Sequence, residues 1–66
     1  MNIQLNGETC NIPDLSTAQD LVDLLELSGQ RLAMERNREI VPRSVYADTL
    51  LEDGDQIEIV HAIGGG

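Results

Sequence analysis

Only one stretch of this chain spaces its apolar residues as a helix does, and most of the remainder alternates. Ala18, Leu21, Val22 and Leu25 fall at i, i+3, i+4 and i+7, Leu24 widens the stripe, and Asp20, Asp23 and Glu26 lie on the other side. A single amphipathic helix must bury that stripe against something flat, so the segments around it must supply a sheet. Ser16-Thr17-Ala18-Gln19 has capping-box spacing, which predicts Ser16 as the N-cap with Gln19 reaching back to it, and Ser28-Gly29 predicts the stop.

The flanking segments read as strands. Met1 to Asn6 alternates with period two, Asn6-Gly7 is a hairpin turn, and Thr9 to Ile12 resumes the alternation, so Met1, Ile3, Leu5, Cys10 and Ile12 form the inward set. Leu32-Ala33-Met34 and Ile40-Val41 predict a second hairpin with a charged tip over Glu35 to Glu39; Pro42 makes its second arm short or places it at an edge. Ser44 to Thr49 predicts one helical or 3₁₀ turn that brings Tyr46 and Leu50 to the core. Glu52-Asp53-Gly54-Asp55 is a turn, and Gln56 to Val60 is a strand with Ile57 and Ile59 on one face and Val60 on the other. Strand, strand, helix, strand, short strand, turn, strand is an α+β order. It predicts a β-grasp (ubiquitin-like) fold, a mixed sheet of about four to five strands packed on one main helix.

Size and charge narrow the function. A chain of 66 residues buries only about 60% of its unfolded surface, which leaves no room for an enclosed active site. No nucleophile, base and oxyanion donors can be assembled from these residues, so the expectation is that the chain is not an enzyme. Twelve acids against four arginines give a net charge of −8, and Tyr46 is the single aromatic residue. Nucleic acid is therefore excluded as a partner, and an anionic membrane would repel the chain. Two readings of the charge stay open: a basic protein surface that docks here, or solubility alone. No basic stretch with an apolar h-region follows Met1, no apolar run approaches about 20 residues, and the lone Cys10 suits a reducing compartment. The expected location is cytoplasmic. The chain has no lysine, so it cannot build isopeptide-linked polymers on itself.

The last strand runs through His61-Ala62-Ile63 into Gly64-Gly65-Gly66. At about 7% average glycine, three in a row at an end arise by chance in roughly 0.03% of chains. The expected division is a folded domain over 1–61 and a flexible glycine tail over 62–66. Glycine passes through a channel too narrow for a side chain, so such a tail can be threaded into another protein's active site. The α-carboxylate of Gly66 becomes an acyl donor once an attack on ATP turns one oxygen into a leaving group. A flexible end or an expression scar is the competing explanation. Val60 and Ile63, beside Glu58, are the candidate landing site, with Gly64 and Gly65 as the threaded segment; a singly exposed valine is also common without meaning.

Asn37-Arg38-Glu39-Ile40-Val41-Pro42-Arg43, then Leu51-Glu52-Asp53-Gly54-Asp55-Gln56-Ile57-Glu58-Ile59-Val60 and the terminal glycines, resemble the thiamine-biosynthesis sulfur carrier family, ThiS, over nearly the whole chain. The related molybdopterin carriers, MoaD, share the Gly-Asp turn and the diglycine end but have a Pro-Pro-Val-type lead where His61-Ala62-Ile63 stands here. The resemblance implies a β-grasp carrier, monomeric when free and holding no cofactor. A ThiF-like adenylating enzyme would use ATP to adenylate Gly66. A persulfide formed by a cysteine desulfurase would replace the adenylate with a thiocarboxylate, and a ThiG-like thiazole synthase would receive the sulfur. Gly65 and Gly66 match the family's terminal pair. Gly64 is an extra glycine, and Glu35-Arg36 stands where the family is more apolar.

Other polar residues read as structural. Cys10 lies inward with no charged neighbour, His61 lacks a second ligand at metal spacing, and Asp53 and Asp55 are turn formers. The alternatives to thiazole formation are sulfur supply to molybdopterin or tRNA thiolation, and a non-covalent β-grasp interaction module.

Overall fold

Two tight turns of one kind shape both halves of the sheet. The computed structural model describes residues 1–61. Strands β1 (Asn2–Leu5) and β2 (Glu8–Asn11) are joined by Asn6 at φ 50° and Gly7 at φ 84°. Strands β3 (Leu32–Arg36) and β4 (Glu39–Val41) are joined by Asn37 at φ 51° and Arg38 at φ 70°. Positive φ at both loop residues matches the right-handed twist of the flanking strands, which is why two-residue hairpins adopt it. Glu35 and Arg36 thus belong to β3 and Glu39 to β4, and the predicted five-residue tip contracts to Asn37-Arg38.

Strand β5 (Gln56–His61) lies in the centre of a five-stranded sheet ordered β2-β1-β5-β3-β4. It runs parallel to β1, with Leu5 opposite Ile57, and antiparallel to β3, with Met34 opposite Ile59. Helix α1 (Ala18–Leu24) buries Ala18, Leu21 and Val22, and these join Ile3, Ile12, Met34, Val41, Tyr46, Leu51, Ile57 and Ile59 in one core. Met1, Leu5 and Cys10 pack against its margin, as the alternation predicts. Among the described residues every buried side-chain N or O has a hydrogen-bond partner, and no helix is long and apolar enough to cross a membrane.

Several local expectations are corrected. Thr17, not Ser16, caps α1: its Oγ1 accepts from Asp20 N at 3.1 Å, and Thr17 N donates to Asp20 Oδ2 at 2.9 Å. Thr-x-x-Asp and Ser-x-x-Gln are both capping frames one residue apart, but a carboxylate gains from the helix dipole where an amide does not. Ser16 is instead used one turn earlier, where its hydroxyl donates to Pro13 O at 2.7 Å.

The helix also stops before Ser28-Gly29. Leu27 N donates to Val22 O at 3.0 Å and Glu26 N to Asp23 O at 3.0 Å, a Schellman closure with Glu26 in the left-handed region at φ 59°. Leu24 is 55% exposed, because at 100° per residue it falls roughly 120° round the helix from Ala18. A 3₁₀ turn over Arg43–Asp48 buries Tyr46 as predicted, but Leu51 enters the core and Leu50 does not. The bridge between Thr17 and Leu50, with Leu51 N donating to Ser16 O at 2.9 Å, sets that register.

Candidate functional site

The candidate site is the exit of β5, and both neighbours hold it. On one flank β3 pairs with it as far as Leu32 opposite His61. On the other, β1 ends at Leu5, and Asn6 extends the pairing with its own atoms. Asn6 N donates to Ile57 O at 2.9 Å, Ile59 N donates to Asn6 Oδ1 at 2.9 Å, and Asn6 Nδ2 donates to Ile59 O at 3.2 Å. The His61 ring Nε2 shares a 2.7 Å hydrogen bond with Gln30 Oε1. The root of the glycine segment is therefore fixed through backbone and side chain alike. Ile63, Gly64, Gly65 and Gly66 of the predicted site lie outside the described residues.

Glu58 and Val60 both point away from the core, as expected from the alternation. Register brings residues beside them that single-strand reading did not assemble. Val60, 59% exposed, stands opposite Ala33; Glu58 stands opposite Glu35; and Glu35 in turn stands opposite Ile40, 67% exposed. Ala33 and Glu35 alternate with buried Met34, so their side of the sheet was readable, but which residues they face depends on tertiary pairing.

Asp55 proves to be more than a turn former. It is 6% exposed; its Oδ2 accepts from Arg36 Nε at 2.8 Å and from Glu52 N at 2.8 Å, and its Oδ1 accepts from Asn37 Nδ2 at 3.1 Å. Burial opposes its ionisation, but the Glu52 N–H, the Asn37 amide and the Arg36 guanidinium outweigh burial and hold its carboxyl below the ordinary aspartate value. Asn37 also donates its N–H to Gln56 O at 2.7 Å and accepts from Gln56 N at 2.9 Å through Oδ1. The two segments that carry the family resemblance are thus one bonded unit, which sets where β5 begins. Asp53 Oδ1 accepts from Asn2 N at 2.7 Å and ties the same turn to β1. Cys10 is a half-buried free thiol at the core margin.

The ThiS family model matches residues 3–66. The chain is 42% identical to the sulfur carrier protein ThiS of Bacillus subtilis over 97% of this chain and 98% of that one. It is 32% identical to the sulfur carrier protein ThiS of Escherichia coli over 100% of both. A thiazole synthase of Paramagnetospirillum magneticum is 44% identical over the whole of this chain, which spans 20% of that protein's length. The crystal structure of the thiamine biosynthesis protein ThiS from Geobacter metallireducens superposes with a TM-score of 0.86 at 26% identity, covering 100% of both chains. The ubiquitin-like sheet order, the Asn37–Asp55 unit that joins the two characteristic segments, and these matches lead to one assignment: the chain belongs to the ThiS family.

Proposed function

We propose that this chain carries sulfur for assembly of the thiazole ring of thiamine, with the carboxylate of Gly66 as the group that is loaded. The observation that carries this reading is the full-length match to two proteins named as sulfur carriers. The central strand, anchored on both sides, supports it, because the glycine run begins in sequence three residues after His61. The folded body over 1–61 serves as the handle, and 62–66 is the part delivered into a partner's active site.

In the first step a Gly66 oxygen attacks the α-phosphate of ATP on a ThiF-like enzyme, giving an acyl-adenylate and pyrophosphate. A persulfide derived from a cysteine desulfurase then attacks the carbonyl carbon and AMP leaves. A second thiol cleaves the resulting acyl disulfide, leaving a thiocarboxylate on Gly66 and a disulfide between the two thiols. With no side chain on Gly66 or Gly65, nothing crowds either face of the reacting carbonyl. Similarity to one region of two thiazole synthases supports an enzyme of that kind as the recipient. The chain is then a substrate, and catalysis belongs to its partners.

Incubation with the adenylating enzyme, ATP and a sulfur donor should make the protein heavier by the difference between a sulfur and an oxygen atom, localised to Gly66 by fragmentation. An unchanged intact mass with a competent partner would overturn the proposal.

A further inference from the structure

Strand β5 loses one of its two neighbours before its last described residue. On the β1 side the bonds reach only to Ile59, through the side chain of Asn6. Among the described residues Val60 and His61 are left with β3 alone, and Leu32 opposite His61 is the final rung. A terminal rung held from one side and open to water frays at little free-energy cost. Packing does not close it: Gln30 and Leu32 border a cavity of about 90 Å³ that Val22 and Tyr46 also line.

One side-chain bond closes it instead. Buried Ile57 and Ile59 set the alternation that puts His61 on the helix side of the sheet, where its ring Nε2 lies 2.7 Å from Gln30 Oε1. An amide oxygen only accepts, so the ring proton of this bond sits on Nε2. Gln30 is placed in turn by the helix end: its N–H donates to Leu27 O at 3.1 Å, and Leu27 N donates to Val22 O at 3.0 Å. The last rung of β5 is thus tied back to buried Val22. Both His61 and Gln30 are exposed, so no buried group depends on the tie.

Building on the carrier reading, we propose that Gln30 is a positioning residue for loading: by bonding His61 it closes the final rung, so that the delivered segment starts at residue 62 from a fixed point. Opening back to Ile59, where Asn6 holds both backbone groups, adds Val60 and His61 to that segment. The partner must then order two more residues before Gly66 meets ATP. Misplacing a reacting group slows the chemical step rather than the docking of the body. Gln30 touches no reacting atom and acts only through His61.

The test is single-turnover pyrophosphate release with a purified ThiF-class adenylating enzyme from the same source, in excess and over a range of concentrations, with ATP. Gln30→Ala and His61→Ala should each lower the maximal rate about three- to tenfold while the half-saturating enzyme concentration stays at the wild-type value. The double variant should be no slower than either single one, because both remove the same bond. Gln30→Glu, which restores an acceptor, should load at the wild-type rate. Thr17→Ala is the control for stability: it weakens the distant helix cap by a comparable amount and should load normally. In the free protein the backbone order parameter at His61 should fall from about 0.85 to below about 0.6 in Gln30→Ala. Wild-type loading by Gln30→Ala, a change in half-saturation alone, equal slowing by Thr17→Ala, losses that multiply in the double variant, or an unchanged order parameter would each overturn the proposal. No pyrophosphate from the wild type rejects the carrier reading and this role with it; release from the wild type and Gln30→Ala at one rate rejects the positioning role alone.

Discussion

The side-chain amide of Asn6 pairs with both backbone groups of Ile59, accepting from its N–H at 2.9 Å and donating to its carbonyl at 3.2 Å. A turn residue thus stands in for the strand residue that β1 lacks. Asn6→Ala should cost about 2–3 kcal/mol, from two lost hydrogen bonds and a Cβ-bearing residue without a polar group at φ 50°. Asn6→Gly keeps the backbone relaxed and should cost less, about 1–2 kcal/mol. Urea midpoints measure both, and amide exchange at Ile59 should accelerate in each; equal midpoints for wild type and Asn6→Gly would remove the clamp from the account.

Removing the Asp55 carboxylate leaves Arg36, Asn37 and Glu52 N without their shared acceptor. Asp55→Ala should cost about 3 kcal/mol. The pH dependence follows from the lowered folded pKa. The ionised group's stabilisation is complete well above the unfolded aspartate value of about 3.9, fades as pH falls through it, and is lost below the folded value. The stability gap between wild type and Asp55→Asn should therefore hold steady from about pH 7 to 5 and shrink towards pH 3. A gap of constant size across that range would contradict the assignment.

Val60 supports no part of the core, so Val60→Ala should leave stability within about 0.5 kcal/mol of wild type. Under the proposed function, in which the exposed methyls seat a ThiF-like adenylating enzyme, loading should show KM raised about five- to tenfold with kcat unchanged. A lowered kcat at constant KM would argue against a binding role.

The capping frame gives a sharper test of local structure. Thr17→Ala should lose about 1 kcal/mol by thermal or urea unfolding. Gln19→Ala should change little, because Gln19 donates to Asp23 Oδ1 on the helix surface rather than to the helix end. Reversed magnitudes would restore the Ser16 frame.

The strands, the helix and the inward residues were legible because each rests on a periodicity carried by consecutive residues. Boundaries were less so where two local rules competed. Ser16 and Thr17 both fit a cap, and only the demand of Pro13 O for a donor and the charge of Asp20 decide between them. Leu50 and Leu51 are chemically alike, and a bridge to Thr17 chooses which one is buried. In the site, Val60 and Glu58 were readable from alternation in β5. Their companions Ala33, Glu35 and Ile40 were not, since they arrive through pairing of strands far apart in sequence. Asp55 looked like a turn residue because its partners Arg36 and Asn37 lie on the other side of the 3₁₀ turn.

The strand order also bears on how the protein is made. Among the described residues β1 with β2 and β3 with β4 are local hairpins that share no ladder with each other, and only β5, which follows both in sequence, bonds both. On the ribosome neither hairpin can complete its share of the sheet until Gln56 to His61 has emerged between them. A translation product cut short before that strand would remain open to proteases, so a body able to present its end to a partner is one whose synthesis has already passed through β5.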